Sequence, residues 1–199
     1  GKGEDSTFYN HQVVGAKMTF QIMERLRFGR DLIEKVKGSV RWHMFSYEAE
    51  VTTDSSVRRL MRNVGLENFD DLVKLRLADR VATPVPKAEK YALRHLKARS
   101  EILSKDPISV TMLKTDGHKV MNTLKIEPGP KVGAVLNALL EEVLDDPSKN
   151  TEDYLEKRTK ELGALSEAAL MEIGKQGKEK ARKMEEEEEK KVKSKYYVK

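Results

Sequence analysis

The sequence predicts an all-α protein, and three observations carry that expectation. Apolar residues recur at helical spacing, as in Val14, Met18, Ile22 and Leu26, which stack on one side of a helix. No alternating run of β-branched and polar residues exceeds about five, near the lower end of strand length. Breakers such as Gly29, Gly65 and the "TPVP" of residues 83–86 fall between the periodic segments.

The elements follow in order. A first helix is expected over residues 12–27, with the four-residue recurrence as its apolar face, ended by Gly29. Residues 31–37 read as a short helix and 40–49 as another, which carries Trp42, His43, Phe45 and Tyr47. A helix over 55–64 has Asp54 as its cap and Gly65 as its stop, because a carboxylate accepts orphan amide hydrogens and glycine takes the left-handed turn. Residues 69–82 form the next, anchored by Leu72, Leu75 and Leu77, and 87–104 the one after the prolines. Residues 107–117 are a connector. Val132, Val135, Leu136, Leu139, Leu140, Val143 and Leu144 then lie along one face of a strongly periodic helix, and Asn150-Thr151 starts a last one with early acidic residues. Beyond Gly177 there is almost no apolar face, so residues 166–199 read as a charged helical or disordered extension. The expected organisation is a helical region over 1–106, a smaller helical tail domain over 107–165, and that extension.

Composition narrows the function classes. Cysteine is absent from the 199 residues, which excludes disulfides, thiolate metal sites and a cysteine nucleophile. The formal charge of +5, with 36% charged residues, favours phosphate-bearing partners without demanding them. The longest apolar run, from Val132, falls far short of the ~20 residues of a spanning helix, and the start has no secretory block. A soluble, cytoplasmic protein with no membrane partner is expected. There is no phosphate-binding loop ending in Lys-Ser/Thr, no G-x-S-x-G elbow, no H-E-x-x-H and no calcium loop. Adjacent acids at 141–142 and 145–146 diverge on a helix and make no cooperating dyad.

Two kinds of residue remain as candidates. Lys87, Lys90, Arg94 and Lys97 recur at three- and four-residue spacing with Tyr91 beside them, while Arg58, Arg59 and Arg62 decorate an earlier helix. Such stripes can neutralise phosphates and an aromatic can stack on a base, although a solvated basic face has the same pattern. Lys131 opens a helix after "EPGP", where amide hydrogens and the positive dipole end suit a phosphate, and where a plain interhelical turn would look identical. Each of the four histidines sits in a context that also suits a packed, hydrogen-bonded ring.

The blocks "FYNHQVVGA", "RLRF", "VRWHM", "TDSSVRRLMRNVG" and "DLVKLRLADR" resemble, in order and approximate spacing, the HD-type domain of the bacterial tRNA nucleotidyltransferase and poly(A) polymerase family. "GHKVMNTLKIEPGPKVGAVLNALLEEVL" resembles the helical tail of the same family, and the likeness runs from about Thr7 to Leu162. It implies an HD-like helical bundle, truncated at its N-terminus, followed by the tail. It also implies RNA, in particular tRNA, as a partner. The catalytic head, which would use Mg2+ or another divalent metal, is expected to be a missing N-terminal part of the same protein. This chain alone is then expected to be inactive and to hold no metal.

By the same resemblance His11, His43 and Asp79 match later positions of the HD metal pattern, whose imidazole and carboxylate ligands suit a metal that activates water against phosphate esters. The adjacent His-Asp pair is absent from the sequence. The expected function is therefore an RNA-binding scaffold of an enzyme that adds nucleotides to RNA 3′ ends. The alternative is a fragment of an HD-type metal-dependent phosphohydrolase, and a third reading is a non-enzymatic helical interaction module.

Overall fold

The computed structural model describes residues 10–82, 90–170 and 172–173, with the backbone alone at Arg80 and Lys90. All regular structure among these residues is helical: α1 (His11–Arg25), α2 (Arg30–Trp42), α3 (Asp54–Val64), α4 (Leu66–Val81), α5 (Lys90–Leu103), α6 (Gly117–Leu124), α7 (Pro130–Asp145) and α8 (Glu152–Gly163), with short 3₁₀ turns at Val110–Met112 and Pro147–Lys149. The protein is all-α, as the periodicity indicates. Residues 87–89, most of the charged extension and the "TPVP" segment lie outside the described residues.

Two compact units interleave along the chain. The first draws its described residues from Gly1–Tyr47 and Asn63–Lys97, the second from Glu48–Arg62 and Ala98–Lys199, whereas the sequence suggested one changeover after residue 106.

In the first unit α1 packs on α2, and α2 on α4. The α1–α2 approach is close because Gly15 has no side chain: a Cβ there would stand 3.2 Å from Val40 Cγ1. Ala16 beside it is buried, but Val14, Met18, Ile22 and Leu26 are 43–60% exposed. The recurrence that reveals the helix is thus not the face by which it packs. Two helices expected over 31–37 and 40–49 are one, α2, which ends at Trp42. Gly38 does not break it, and the Ser39 hydroxyl donates to the Lys35 carbonyl at 2.9 Å within the helix. Phe45 and Tyr47 are buried in the non-helical segment that follows. Gly65, at φ +86°, makes the left-handed turn between α3 and α4 that glycine tolerates best. α4 begins earlier than expected and buries Phe69 and Leu72, while Leu75 and Leu77, read as anchors, face outward. Lys35 reaches from α2 to Asp71 on α4 at 2.7 Å, and Lys74 reaches the same carboxylate at 3.0 Å.

The second unit is built on α7. Val132, Val135, Leu136, Ala138, Leu139, Leu140, Val143 and Leu144 are all buried, more of the circumference than one stripe, as suits a helix enclosed by others. α6 and α8 pack against it, contributing Val120, Leu155 and Leu162 at no exposure. Caps set the ends. Asp116 Oδ1 accepts the Lys119 amide at 2.9 Å, Thr151 Oγ1 accepts the Tyr154 amide at 3.3 Å, and Pro130 stands at the first position of α7, where its missing N–H costs nothing. At α3 the cap is Thr53, whose Oγ1 accepts the Ser56 amide at 3.2 Å; Asp54, expected in that role, pairs instead with Arg99 Nε at 2.6 Å.

Leu139→Ala removes a fully buried side chain and is expected to lower unfolding stability by about 2–5 kcal/mol, read as a fall in urea midpoint. The lysines hydrogen-bonded to Asp71, Lys35 first, hold its carboxyl at about 2 against the ordinary 3.8. The folded state therefore binds fewer protons there than the unfolded state, so the contribution is present above 3.8 and is lost as pH falls toward 2. Asp71→Asn is expected to flatten that part of the acid limb of a stability–pH profile.

Candidate nucleic-acid interface

In the first unit, α5 turns Leu93 and Leu96 inward, which leaves Tyr91, Arg94 and Lys97 on its outer side. The Tyr91 ring is 64% exposed and backed by His95, with ring centroids 5.9 Å apart. His95 is held in turn by a 2.6 Å hydrogen bond between its Nδ1 and the hydroxyl of buried Tyr47. A buried phenol thus positions an imidazole, which supports an exposed aromatic beside two cations. Lys97 stands 3.6 Å from Asp70, and a hollow of about 420 Å3 bordered by Asp70, Lys74, Leu77, Arg94 and Lys97 lies alongside. Lys90 opens the helix, its side chain outside the described residues, as is all of Lys87.

The α3 arginines have another role. Arg58 is 5% and Arg59 6% exposed, and both belong to the second unit. Arg58 donates from Nε to the Leu144 carbonyl at 2.8 Å and from Nη1 to Asp106 at 2.9 Å. Arg59 donates to Glu141 at 3.2 Å and Asp145 at 2.8 Å, while Arg62 joins Glu141 and Asn137. Their guanidiniums face carboxylates and carbonyls of their own chain. The basic stripe seen in the sequence is a clamp between α3 and α7. Lys131 likewise donates to the Gly163 carbonyl at 2.8 Å, a cation at the negative end of α8.

Of the residues implied as metal ligands, two come together. His11 and His43 meet edge to face with ring centroids 5.4 Å apart, and a 2.7 Å hydrogen bond links His43 Nδ1 to the Val40 carbonyl. Asp79 pairs with Arg76 at 3.3 Å. Among the described residues no three His, Cys, Asp or Glu side chains gather as a metal-holding group.

Sequence reasoning missed a groove of about 1220 Å3 in the first unit, among α1, α2 and the start of α4. Phe20 and Trp42 line it, with Lys37 5.6 Å from the Phe20 ring centre and Arg41 4.7 Å from that of Trp42. Its cations are Lys17 on α1 and Lys35, Lys37 and Arg41 on α2, none of which sequence reasoning singled out. No described helix is long and apolar enough to cross a membrane.

Fold and site together define an all-helical protein that exposes an aromatic and cations along one helix. The chain belongs to the tRNA nucleotidyltransferase domain 2 family, whose model matches residues 10–158. It is 36% identical over 137 residues to the CC-adding tRNA nucleotidyltransferase of Thermus thermophilus, covering 67% of this chain and 29% of that protein. It is 32% identical over 139 residues to the A-adding tRNA nucleotidyltransferase of Deinococcus radiodurans, covering 68% of this chain and 31% of that one. The chain thus spans under a third of the length of these relatives. No solved structure matches it.

Glu141 is 7% exposed and faces both Arg59 and Arg62. Glu141→Ala strands buried positive charge and is expected to cost about 3–5 kcal/mol in a chemical denaturation experiment. Arg59→Leu combined with Glu141→Leu should cost less than the sum of the two single changes.

Proposed function

We infer that this chain is an RNA-binding helical part of a tRNA nucleotidyltransferase, holding tRNA while a catalytic portion outside these residues adds nucleotides to the 3′ end. The observation that carries the reading is the family match over residues 10–158. The two relatives, named for CC addition and A addition to tRNA, agree in substrate. A divalent metal, Mg2+ or another, belongs in this reading to the catalytic portion.

The RNA contact is assigned to the outer side of α5. Arg94 and Lys97 bring positive charge to backbone phosphates, and the ring of Tyr91, held from behind by His95, offers a face to a base or ribose. Lys87 and Lys90 join the same proposed set by their spacing in the sequence alone. Arg58 and Arg59 are left out, because withdrawing a buried guanidinium from its carboxylates costs more than an exposed phosphate contact returns.

tRNA is expected to bind this chain with an affinity that falls steeply as salt rises, since phosphate neutralisation releases counterions. Arg94→Glu with Lys97→Glu should weaken binding by about tenfold or more, and Tyr91→Ala by about fivefold or more. Fluorescence anisotropy with labelled tRNA measures both. Affinity indifferent to salt and to the charge reversals would defeat the reading.

A further inference from the structure

α1 carries an apolar row that the other described residues of its unit leave largely exposed. Val14, Met18, Ile22 and Leu26 follow at four-residue spacing, each 43–60% exposed, and Phe28 in the turn beyond the helix is 46% exposed. The packing of α1 is satisfied elsewhere, through buried Ala16 and the close approach of Gly15 to Val40. Single exposed apolar residues are ordinary, whereas a continuous row along one helix marks a surface that something covers. Five half-exposed side chains of this size offer on the order of 300–500 Å2, about one side of an interface between domains, which buries roughly 600–1,500 Å2 in total.

Charge narrows the occupant. Lys17 and Arg25 on α1, Arg27 in the turn and Arg30 at the start of α2 stand against Glu24, Asp31 and Glu34, the last 3.9 Å from Arg30. A second copy docked about a two-fold axis would bring this cationic rim against itself. RNA is drawn by such a rim, but a duplex turns its charged backbone outward and stacks its bases inside, so it covers little of a row of valine, methionine, isoleucine and leucine. A protein patch that is apolar at its centre and carries carboxylates at its edge satisfies both. The matched stretch makes up only 29% and 31% of the two relatives, so most of their polypeptide has no counterpart here.

We propose that the Val14–Met18–Ile22–Leu26 row of α1 is the docking surface for the catalytic portion of the nucleotidyltransferase, whether that portion is carried on the same polypeptide or on a separate subunit. This rests on the part of the functional reading that places catalysis outside these residues, and it is independent of where RNA is held.

The chain has no cysteine, so a single introduced thiol reports on its own position. Ile22→Cys and, as an exposed control, Ile102→Cys are labelled with a maleimide and quantified by peptide mass. The labelling is done in this chain alone and in the complete nucleotidyltransferase from the same source. Labelling at position 22 is expected to slow about tenfold or more in the complete enzyme, with position 102 unchanged. Equal rates at position 22 in the two settings would overturn the proposal. So would protection that grows with the concentration of this chain alone, which identifies a second copy. Protection of the isolated chain by tRNA alone, or by phosphatidylglycerol vesicles alone, would overturn it as well. If position 22 is protected while the α5 charge reversals leave tRNA affinity intact, the RNA-contact reading fails and the docking surface stands; the converse result separates them the other way.

Discussion

The second unit depends on a cluster of charges taken out of water. Arg58 and Arg59 are buried on α3, and Glu141 is buried on α7, where every other buried residue is apolar. An isolated ion in such a place is costly, so each must be met by a partner of opposite sign or by a carbonyl, and here each is. The forked guanidinium accepts few alternative arrangements. A shift of α3 by one turn along α7 would leave charges unpaired inside the protein. Apolar packing of Val57 and Met61 supplies burial, while the ion pairs select one register for it.

A count of lysines and arginines describes a basic protein, but burial divides them unequally. Arg58, Arg59 and Arg62 are committed to Asp106, Glu141, Asp145 and Asn137, and Lys131 to a helix end. In the first unit Arg94 and Lys97 stand exposed on α5, and Lys17 and Arg41 line a groove with Phe20 and Trp42. Surface cations keep most of their interaction with solvent and can exchange it for phosphate at low cost; buried ones cannot. The candidate interface therefore belongs to the first unit, although the densest run of arginines in the sequence lies on α3.

Periodicity made the helices legible, because every turn of a helix repeats the same local geometry. It placed α3, α7 and α8 within a residue or two and revealed α1. It could not say which face is buried, since that depends on an element distant in sequence: α1 meets α2 through Gly15 and Ala16, and its most regular apolar row is left outside. The same limit divided α2 into helices over 31–37 and 40–49, although the weak helix propensity of Gly38 between them, about 1 kcal/mol, was outweighed within one helix. The acids that claim the α3 arginines lie some eighty positions along the chain for Glu141 and Asp145, beyond any local pattern. His95 was weighed as a packed histidine, and its bond to Tyr47 spans 48 positions, so its part in supporting Tyr91 could be seen only once the chain was folded.

The exposed row on α1 bears on the helix's own persistence. A fifteen-residue helix is marginal in water by itself, and its stability comes mainly from the face it buries. α1 buries a narrow one around Gly15 and Ala16, with Phe20 meeting Lys37 of α2 beside it, while Val14, Met18, Ile22 and Leu26 stand about half exposed. A partner laid along Val14, Met18, Ile22 and Leu26 would therefore both cover apolar surface and stabilise the helix, so that docking and ordering at this edge are one equilibrium. Since α1 also borders the groove of Phe20 and Trp42, whatever covers its outer row would steady one wall of that groove from behind.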